Sequence, residues 1–553
     1  MRRTLLFLVY GFCALLVSAV PAKRERHTLM LADGSTLVAT AMGDEILHFF
    51  QTDDGRFLQC DNLGIAHFVD SDELYALRQA KAEKRQAFKK RRNNARRARK
   101  QSSQNTMTGT KYGLVILVEF PDVPFNYSCT TFTQFFNEVG YSDEINIGSV
   151  HDYFFSASYG LFNLMFDVVG PVTMSHDLAY YGANNSRGDD MYPATMVTEA
   201  VEMLDRKVDF SKYDWDGDGE VEQIFVLHSG YDEAQSSVRN DIWSHAWTLT
   251  EAQEEGNDGN GPITADGVIV DCYATSSELR NKRGTSITGI GTPCHEFSHC
   301  FGLPDFYDTT GSGFCMNTWD ILDYGSYNGD GGIPAGFTSY ERMFCGWLNP
   351  IELNEPVEIQ NMPSLTSKPV AYILKNSGCS DEYYLLENRQ KESWDANLGG
   401  HGMLILHVDY DSQAWTENTV NSVRSHRRMS IIPADNSLSS FSLSGDPWPG
   451  TSKNTEFSDN STPAATLFNA NADGEKLMNH SITEIKESRD GYISFIFDEE
   501  ALGIDEIKNV PPAPERSEEN LKGNNNVYDL SGRKCSIPAK GIYIQDGKKL
   551  YIQ

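Results

Sequence analysis

The segment His295-Glu296-Phe297-Ser298-His299 constrains this chain more tightly than any other stretch of it. Two histidines four residues apart project from one face of a helix, so both imidazoles can hold a single metal ion. The chain continues Cys300-Phe301-Gly302-Leu303-Pro304-Asp305. Gly302 can turn sharply without a Cβ penalty and Pro304 prevents the helix from continuing, so Asp305 can swing back as a third ligand. Three protein ligands leave a fourth position for water, the pattern of a catalytic rather than a structural zinc site. Glu296, next to the first ligand, can reach that water as general base. Cys300 follows His299 directly and should point off the ligand face, so it is not expected to close the site. A bare His-Glu-x-x-His string should arise by chance in roughly 2% of chains of this length and composition. The added glycine and aspartate lower that to roughly one in ten thousand, which sets aside a surface helix with two ordinary histidines.

A second cluster of ligand-type residues lies upstream, in Asp214-Trp215-Asp216-Gly217-Asp218-Gly219-Glu220-Val221-Glu222. Carboxylates at alternating positions converge on a hard cation, and Gly219 allows the turn that gathers them. An EF-hand would carry a bidentate Glu at the twelfth position, where Phe225 stands. The reading is structural calcium on Asp214, Asp216, Asp218, Glu220 and Glu222, with the loop closing through Glu222; the alternative is a solvated acidic turn.

Around these clusters the chain divides by composition. Residues 1–22 read as an export signal: Arg2 and Arg3 precede an apolar run from Leu5 to Val20, and Val17-Ser18-Ala19 and Val20-Pro21-Ala22 both suit a signal peptidase. The run is interrupted by Gly11 and Ser18 and is short for a membrane anchor, and no later stretch is long and apolar enough to span a bilayer. Residues 23–104 form a candidate propeptide. Within it, 27–70 alternate apolar and polar residues between Asp33-Gly34, Gly43-Asp44 and Asp54-Gly55 turns, the pattern of a small β module. From Arg78 to Lys100 twelve residues are Lys or Arg and only Glu83 is acidic, a solvated helix or linker where trypsin-like cleavage would release a propeptide. Cys60 and Asp61 could block the metal in a latent precursor, or could be a core cysteine beside a turn. Residues 105–350 read as a mixed α/β domain, with buried strands at Gly113–Phe120 and Ile224–Leu227. Residues 351–500 hold many short strands between Gly, Asp, Asn and Ser turns, as in a β-sandwich. Residues 501–525 form a linker and 526–553 a small turn-rich strand module.

Charge and cysteines exclude some classes of function. Residues 1–100 hold 18 Lys/Arg against 11 Asp/Glu, and the remainder 29 against 66. So acidic a main body repels phosphate backbones, which argues against nucleic acid as a partner and suits calcium. Ten cysteines with no spaced framework leave disulfide pairing open.

The segment His295 to Asp308 strongly resembles the zinc segment of the bacterial immune inhibitor A family of metallopeptidases. The likeness continues through Trp319-Asp320-Ile321-Leu322-Asp323-Tyr324-Gly325-Ser326-Tyr327, Pro334-Ala335-Gly336-Phe337 and Tyr384-Leu385-Leu386-Glu387-Asn388-Arg389-Gln390. Upstream it takes in Gly148-Ser149-Val150-His151-Asp152-Tyr153-Phe154 and Ser158-Tyr159-Gly160, and altogether it covers about residues 30–500. The resemblance implies an α/β metzincin-like zinc peptidase domain, preceded by a propeptide and followed by a β-rich, sandwich-like region, with zinc on His295, His299 and Asp305. Leu322 stands where such enzymes carry a methionine beneath the metal, and Tyr324 where they carry a tyrosine. That tyrosine either stabilises an oxyanion or packs in the core. Asn526 to Lys549 resembles the C-terminal sorting domains of type IX secretion substrates, implying passage through outer-membrane secretion machinery; the alternative is a small β cap. The expectation is a secreted or cell-surface zymogen, a zinc endopeptidase acting on extracellular proteins with Glu296 as general base. The competing class is a non-catalytic surface adhesion protein with structural zinc.

Overall fold

A computed structural model describes residues 20–44, 47–61, 64–74, 76–78, 107–185, 188–255, 258–309 and 313–498, with backbone strands alone beyond residue 508. Most of the stretch read as an export signal, nearly all of the basic run and all of the 501–525 linker but Asn509–Val510 lie outside the described residues.

Strands β1 (Arg26–Leu31), β2 (Thr36–Gly43), β3 (His48–Gln51), β4 (Phe57–Cys60) and β5 (Ile65–Val69) close into a small barrel. Successive strands are antiparallel and β1 meets β5 in parallel. Alternation puts Leu29, Ala39, Ala41, Phe50 and Leu58 into one cluster. That cluster is completed by Val20 and Ala22 from the N-terminal approach and by Ala234 and Trp243 from the next region. The barrel therefore has no closed core of its own on that side.

The next region is built on β6 (Gly109–Glu119), β7 (Phe162–Thr173), β8 (Ile224–Tyr231), β9 (His245–Thr248), the hairpin β10 (Ile263–Ala265) and β11 (Val268–Val270), and β12 (Cys272–Leu279). Its sheet runs β7-β6-β8-β12-β9, parallel except for the antiparallel edge strand β9. Parallel strands require both faces covered. On β6, Leu114, Ile116 and Val118 meet α3 (Pro193–Leu204) through Met196, Val197 and Val201. Val115 and Leu117 face the core holding α1 (Cys129–Asn137), α2 (Val150–Ala157) and α4 (Gly291–Ser298), the helix that carries His295. Helix α2 starts on a capping box: the Ser149 hydroxyl accepts from Asp152 N, and the Asp152 carboxylate accepts from Ser149 N.

Two further sheets follow. One runs β13-β15-β16-β17-β18, from β13 (Ile351–Glu352), β15 (Tyr372–Asn376), β16 (Cys379–Arg389), β17 (Gly402–Asp409) and β18 (Met429–Ile431). The other runs β19-β20-β14-β21, from β14 (Val357–Met362), β19 (Ile482–Glu487), β20 (Ile493–Phe497) and β21 (Asn509–Val510). Residue parity divides the first sheet between two cores. Tyr384, Leu386, Met403 and Ile405 face the second sheet, while Tyr383, Leu385, Leu404 and Leu406 join the core of helix α4. The β-rich region is thus welded to the metal-helix side of the α/β region. At the end of the chain, β22 (Val527–Tyr528), β23 (Lys534–Cys535), β24 (Gly541–Gln545) and β25 (Lys548–Ile552) form an antiparallel sheet of order β23-β22-β24-β25. No helix among the described residues is long and apolar enough to cross a membrane. Among the described residues, Cys60, Cys129, Cys294, Cys315 and Cys379 form no disulfide.

Candidate metal centre

Helix α4 lies fully buried and passes close over the loop after Trp319. A Cβ on Gly291 would meet Ser326 O at 1.9 Å, so only glycine lets the two backbones approach. The helix tightens at His299–Phe301 and ends at Gly302, whose φ of +89° is left-handed. The chain then folds back and brings Asp305 under the helix, as expected from Gly302 and Pro304.

His295, Glu296 and His299 offer ligand atoms within 4.8 Å of one another. Asp305 Oδ1 lies 3.2 Å from His295 Nε2 and 3.6 Å from His299 Nε2. Two ligands each 2.0–2.1 Å from a tetrahedral metal ion sit about 3.3–3.4 Å apart, so these separations fit one shared ion. The tautomers fit too. His295 Nδ1 donates to Ile321 O at 2.6 Å and His299 Nδ1 to Leu303 O at 2.8 Å. Each ring is thereby left with an Nε2 lone pair aimed inward. All three side chains are buried, and the donor set of two imidazoles and a carboxylate suits zinc.

The floor is the loop Asp320–Tyr324. Leu322 is buried in the main core and its carbonyl accepts from Phe306 N at 2.8 Å, tying the floor to the Asp305 loop. Asp320 Oδ1 accepts from Leu322 N. Burial and the neighbouring Glu341 carboxyl push Asp320 well above the usual carboxylate range. Tyr324 stands beside the floor with Arg24 over its ring, 4.1 Å from guanidinium carbon to centroid. Burial raises its hydroxyl pKa.

The N-terminal segment reaches into this site, which the sequence did not reveal. Val20 N donates to Glu296 Oε1 at 2.9 Å. Val20 O accepts from Trp243 Nε1, Pro21 O accepts from the Tyr327 hydroxyl, and Lys23 N donates to Ala234 O. Cys60, the other candidate for a latent contact, instead lies on β4, where its carbonyl and that of Asp61 accept from Arg239.

The acidic loop gathers Asp214, Asp216 and Asp218, whose carboxylate oxygens lie within 4.8 Å of one another. Asp214 also shapes the loop by accepting from Gly217 N and Gly219 N. Glu222 Oε2 closes it onto Trp215 N at 2.6 Å, whereas Glu220 Oε1 faces Cys272 Sγ at 3.7 Å. Phe225 is on β8, buried in the core, so that position has no ligand to give.

Residues 99–347 match the family model described as the immune inhibitor A peptidase M6 catalytic domain. The chain is similar to the pre-pro-metalloprotease PrtV of Vibrio cholerae serotype O1, 26% identical over 289 residues, which is 44% of this chain and 31% of that protein. It is equally similar to immune inhibitor A of Bacillus thuringiensis subsp. alesti, 26% identical over 290 residues, 44% of this chain and 41% of the relative. The matched region thus spans about a third to two-fifths of those relatives.

Proposed function

We propose that this chain, through its M6 peptidase domain, is an exported zinc metalloendopeptidase made as a zymogen. The observation that carries this reading is the meeting of His295 Nε2, His299 Nε2 and Asp305 Oδ1 at 3.2–3.6 Å with Glu296 beside them. A zinc ion held by those three residues would acidify water and polarise the scissile carbonyl. Glu296, two-oxygened and buried, accepts the proton of the attacking water and delivers it to the departing amine. The Ile321 and Leu303 carbonyls keep both imidazoles in the ligand tautomer throughout. Tyr324 donates its hydroxyl to the oxyanion once Arg24 has left its ring.

Latency follows from the N-terminal segment rather than from Cys60 or Asp61. Val20 occupies the Glu296 carboxylate that the reaction needs, and the Ala234 carbonyl, the Trp243 indole and the Tyr327 hydroxyl hold Val20–Lys23 through its main chain. Export cleavage after Ala19 rather than Ala22 would retain these residues and make the Val20 nitrogen an amino terminus, turning its bond to Glu296 into a charge-assisted one. Cleavage in the basic run would then allow the barrel and its N-terminal strand to depart. Asp214, Asp216 and Asp218 hold a structural calcium ion, and the C-terminal strands serve as a type IX sorting module.

The test compares the full chain with its Glu296→Ala variant after limited tryptic cleavage. We expect both to retain zinc, the wild type to cleave an unfolded protein in a chelator-sensitive way, and the variant to lose at least about 10²-fold in rate. Stoichiometric zinc without cleavage by either would favour the adhesion protein with structural zinc.

A further inference from the structure

We infer that Asn418, in the β-rich region, is the positioning residue for the third metal ligand, so that the metal site is completed from outside the peptidase domain; this rests on the metallopeptidase reading above. Asn418 is buried and meets Asp305 twice. Its Oδ1 accepts from Asp305 N at 2.8 Å, and its Nδ2 donates to Asp305 Oδ2 at 2.7 Å. The two bonds fix the amide orientation, since reversal would set donor against donor and acceptor against acceptor. They also divide the carboxylate's work: Oδ2 is committed to the amide, and Oδ1 is the oxygen that faces both histidine Nε2 atoms. A neutral donor orients the carboxylate without competing for the cation's charge, the role outer partners play at metal sites.

The surroundings hold Asn418 to this task. It follows helix α5 (Ser412–Thr416) in the left-handed conformation, φ +53°, a region Asn, Asp and Gly enter at little cost. Three residues on, Asn421 Nδ2 donates to Phe306 O at 2.7 Å and to Met429 O at 2.6 Å, and its Oδ1 accepts from Met429 N. Met429 begins β18. The consecutive residues Asp305 and Phe306 are therefore pinned to the edge of the β-rich sheet, some 70 residues beyond the matched peptidase domain.

Two substitutions compatible with the left-handed backbone test this in the full chain. Asn418→Gly removes both bonds. Asn418→Asp keeps the acceptor for Asp305 N and sets a carboxylate against Oδ2 in place of the donor, so it reports even if the glycine variant fails to fold. Zinc affinity is measured by chelator competition, the ligand field by the visible spectrum of the cobalt-substituted chain, and metal-free stability by melting. We expect zinc affinity to fall about 10- to 100-fold in both variants, with an altered cobalt spectrum. Wild-type zinc affinity and cobalt spectrum in the variants, with only the metal-free melting temperature lowered, would reduce Asn418 to a structural clip and overturn the inference. A wild-type chain that takes up no zinc would overturn the metallopeptidase reading along with it.

Discussion

If the N-terminal segment is what silences the zymogen, Val20→Gly in the full chain should wake it. Val20 is fully buried in the cluster it forms with Ala234, Trp243 and the barrel strands. Burying a valine side chain is worth about 1.5–3 kcal/mol, and a glycine adds about 0.5–1 kcal/mol of backbone freedom to the detached state. Detachment therefore becomes easier by about 2–4 kcal/mol, or about 30- to 700-fold at 1.4 kcal/mol per decade. The main-chain bond from residue 20 to Glu296 survives the substitution, so the change isolates packing from hydrogen bonding. The assay is hydrolysis of a short fluorogenic peptide by the uncleaved chain, with trypsin inhibitor present, integrity checked on a gel, and Glu296→Ala as background. An increase of at least about 30-fold is expected. A rise below about threefold with the chain intact would show that the cleft is closed by something other than this segment. The same reasoning requires the exported precursor to begin at Val20; sequencing that found Lys23 first would remove Val20 from the molecule altogether.

Release of the barrel should depend on pH in a way its interface dictates. Burial pushes Asp190 and Glu233 above the usual carboxylate range, with Glu233 Oε1 4.0 Å from His48 Nδ1 of the barrel; it pushes His48 down to about 3 and lowers His27. Raised carboxyls favour docking at low pH and lose it as pH rises through their docked values, whereas depressed histidines favour docking above their free values near 6.5. The two trends oppose one another below about pH 6.5, so affinity of the cleaved barrel for the peptidase should fall from there to about pH 8, the docked value of Glu233; a flat profile from pH 6.5 to 8 in a binding titration would refute the assignment. For the acidic loop, calcium at a hundred times its dissociation constant should stabilise the chain by about 2.7 kcal/mol, and Asp214→Asn, which removes a ligand and weakens the loop's own turn, should abolish that response in thermal melts. Melting that ignores calcium in the wild type would leave the loop as a solvated turn.

How much of this was legible in the sequence depended on whether the information lies in residue type or in backbone. The i, i+4 histidines, Gly302 and Asp305 were readable because helix periodicity and a left-handed turn fix where those side chains go. Continuous apolar runs likewise gave the core strands at Gly113–Phe120 and Ile224–Leu227, and Asp-Gly and Gly-Asp pairs marked the barrel's turns. The outer half of the site was invisible for a physical reason. The partners that orient His295 and His299 are the carbonyls of Ile321 and Leu303, and a carbonyl leaves no trace in residue identity.

Asn418 does have a distinctive side chain, yet asparagine after a short helix reads as a turn residue, which its left-handed φ shows it also is. Only the packing of the β-rich sheet against the core of α4 turns that ordinary turn residue towards Asp305. Val20–Ala22 was hidden differently. Small residues in this stretch suit a signal peptidase, and small residues are also what lets a chain slide between Trp243 and the barrel with Val20 and Ala22 fully covered. One composition thus answers two requirements, and reading the first concealed the second. It follows that bulky substitutions at Ala22 should disturb latency in the folded precursor even where they leave export untouched, because only the folded cleft measures the volume of that side chain.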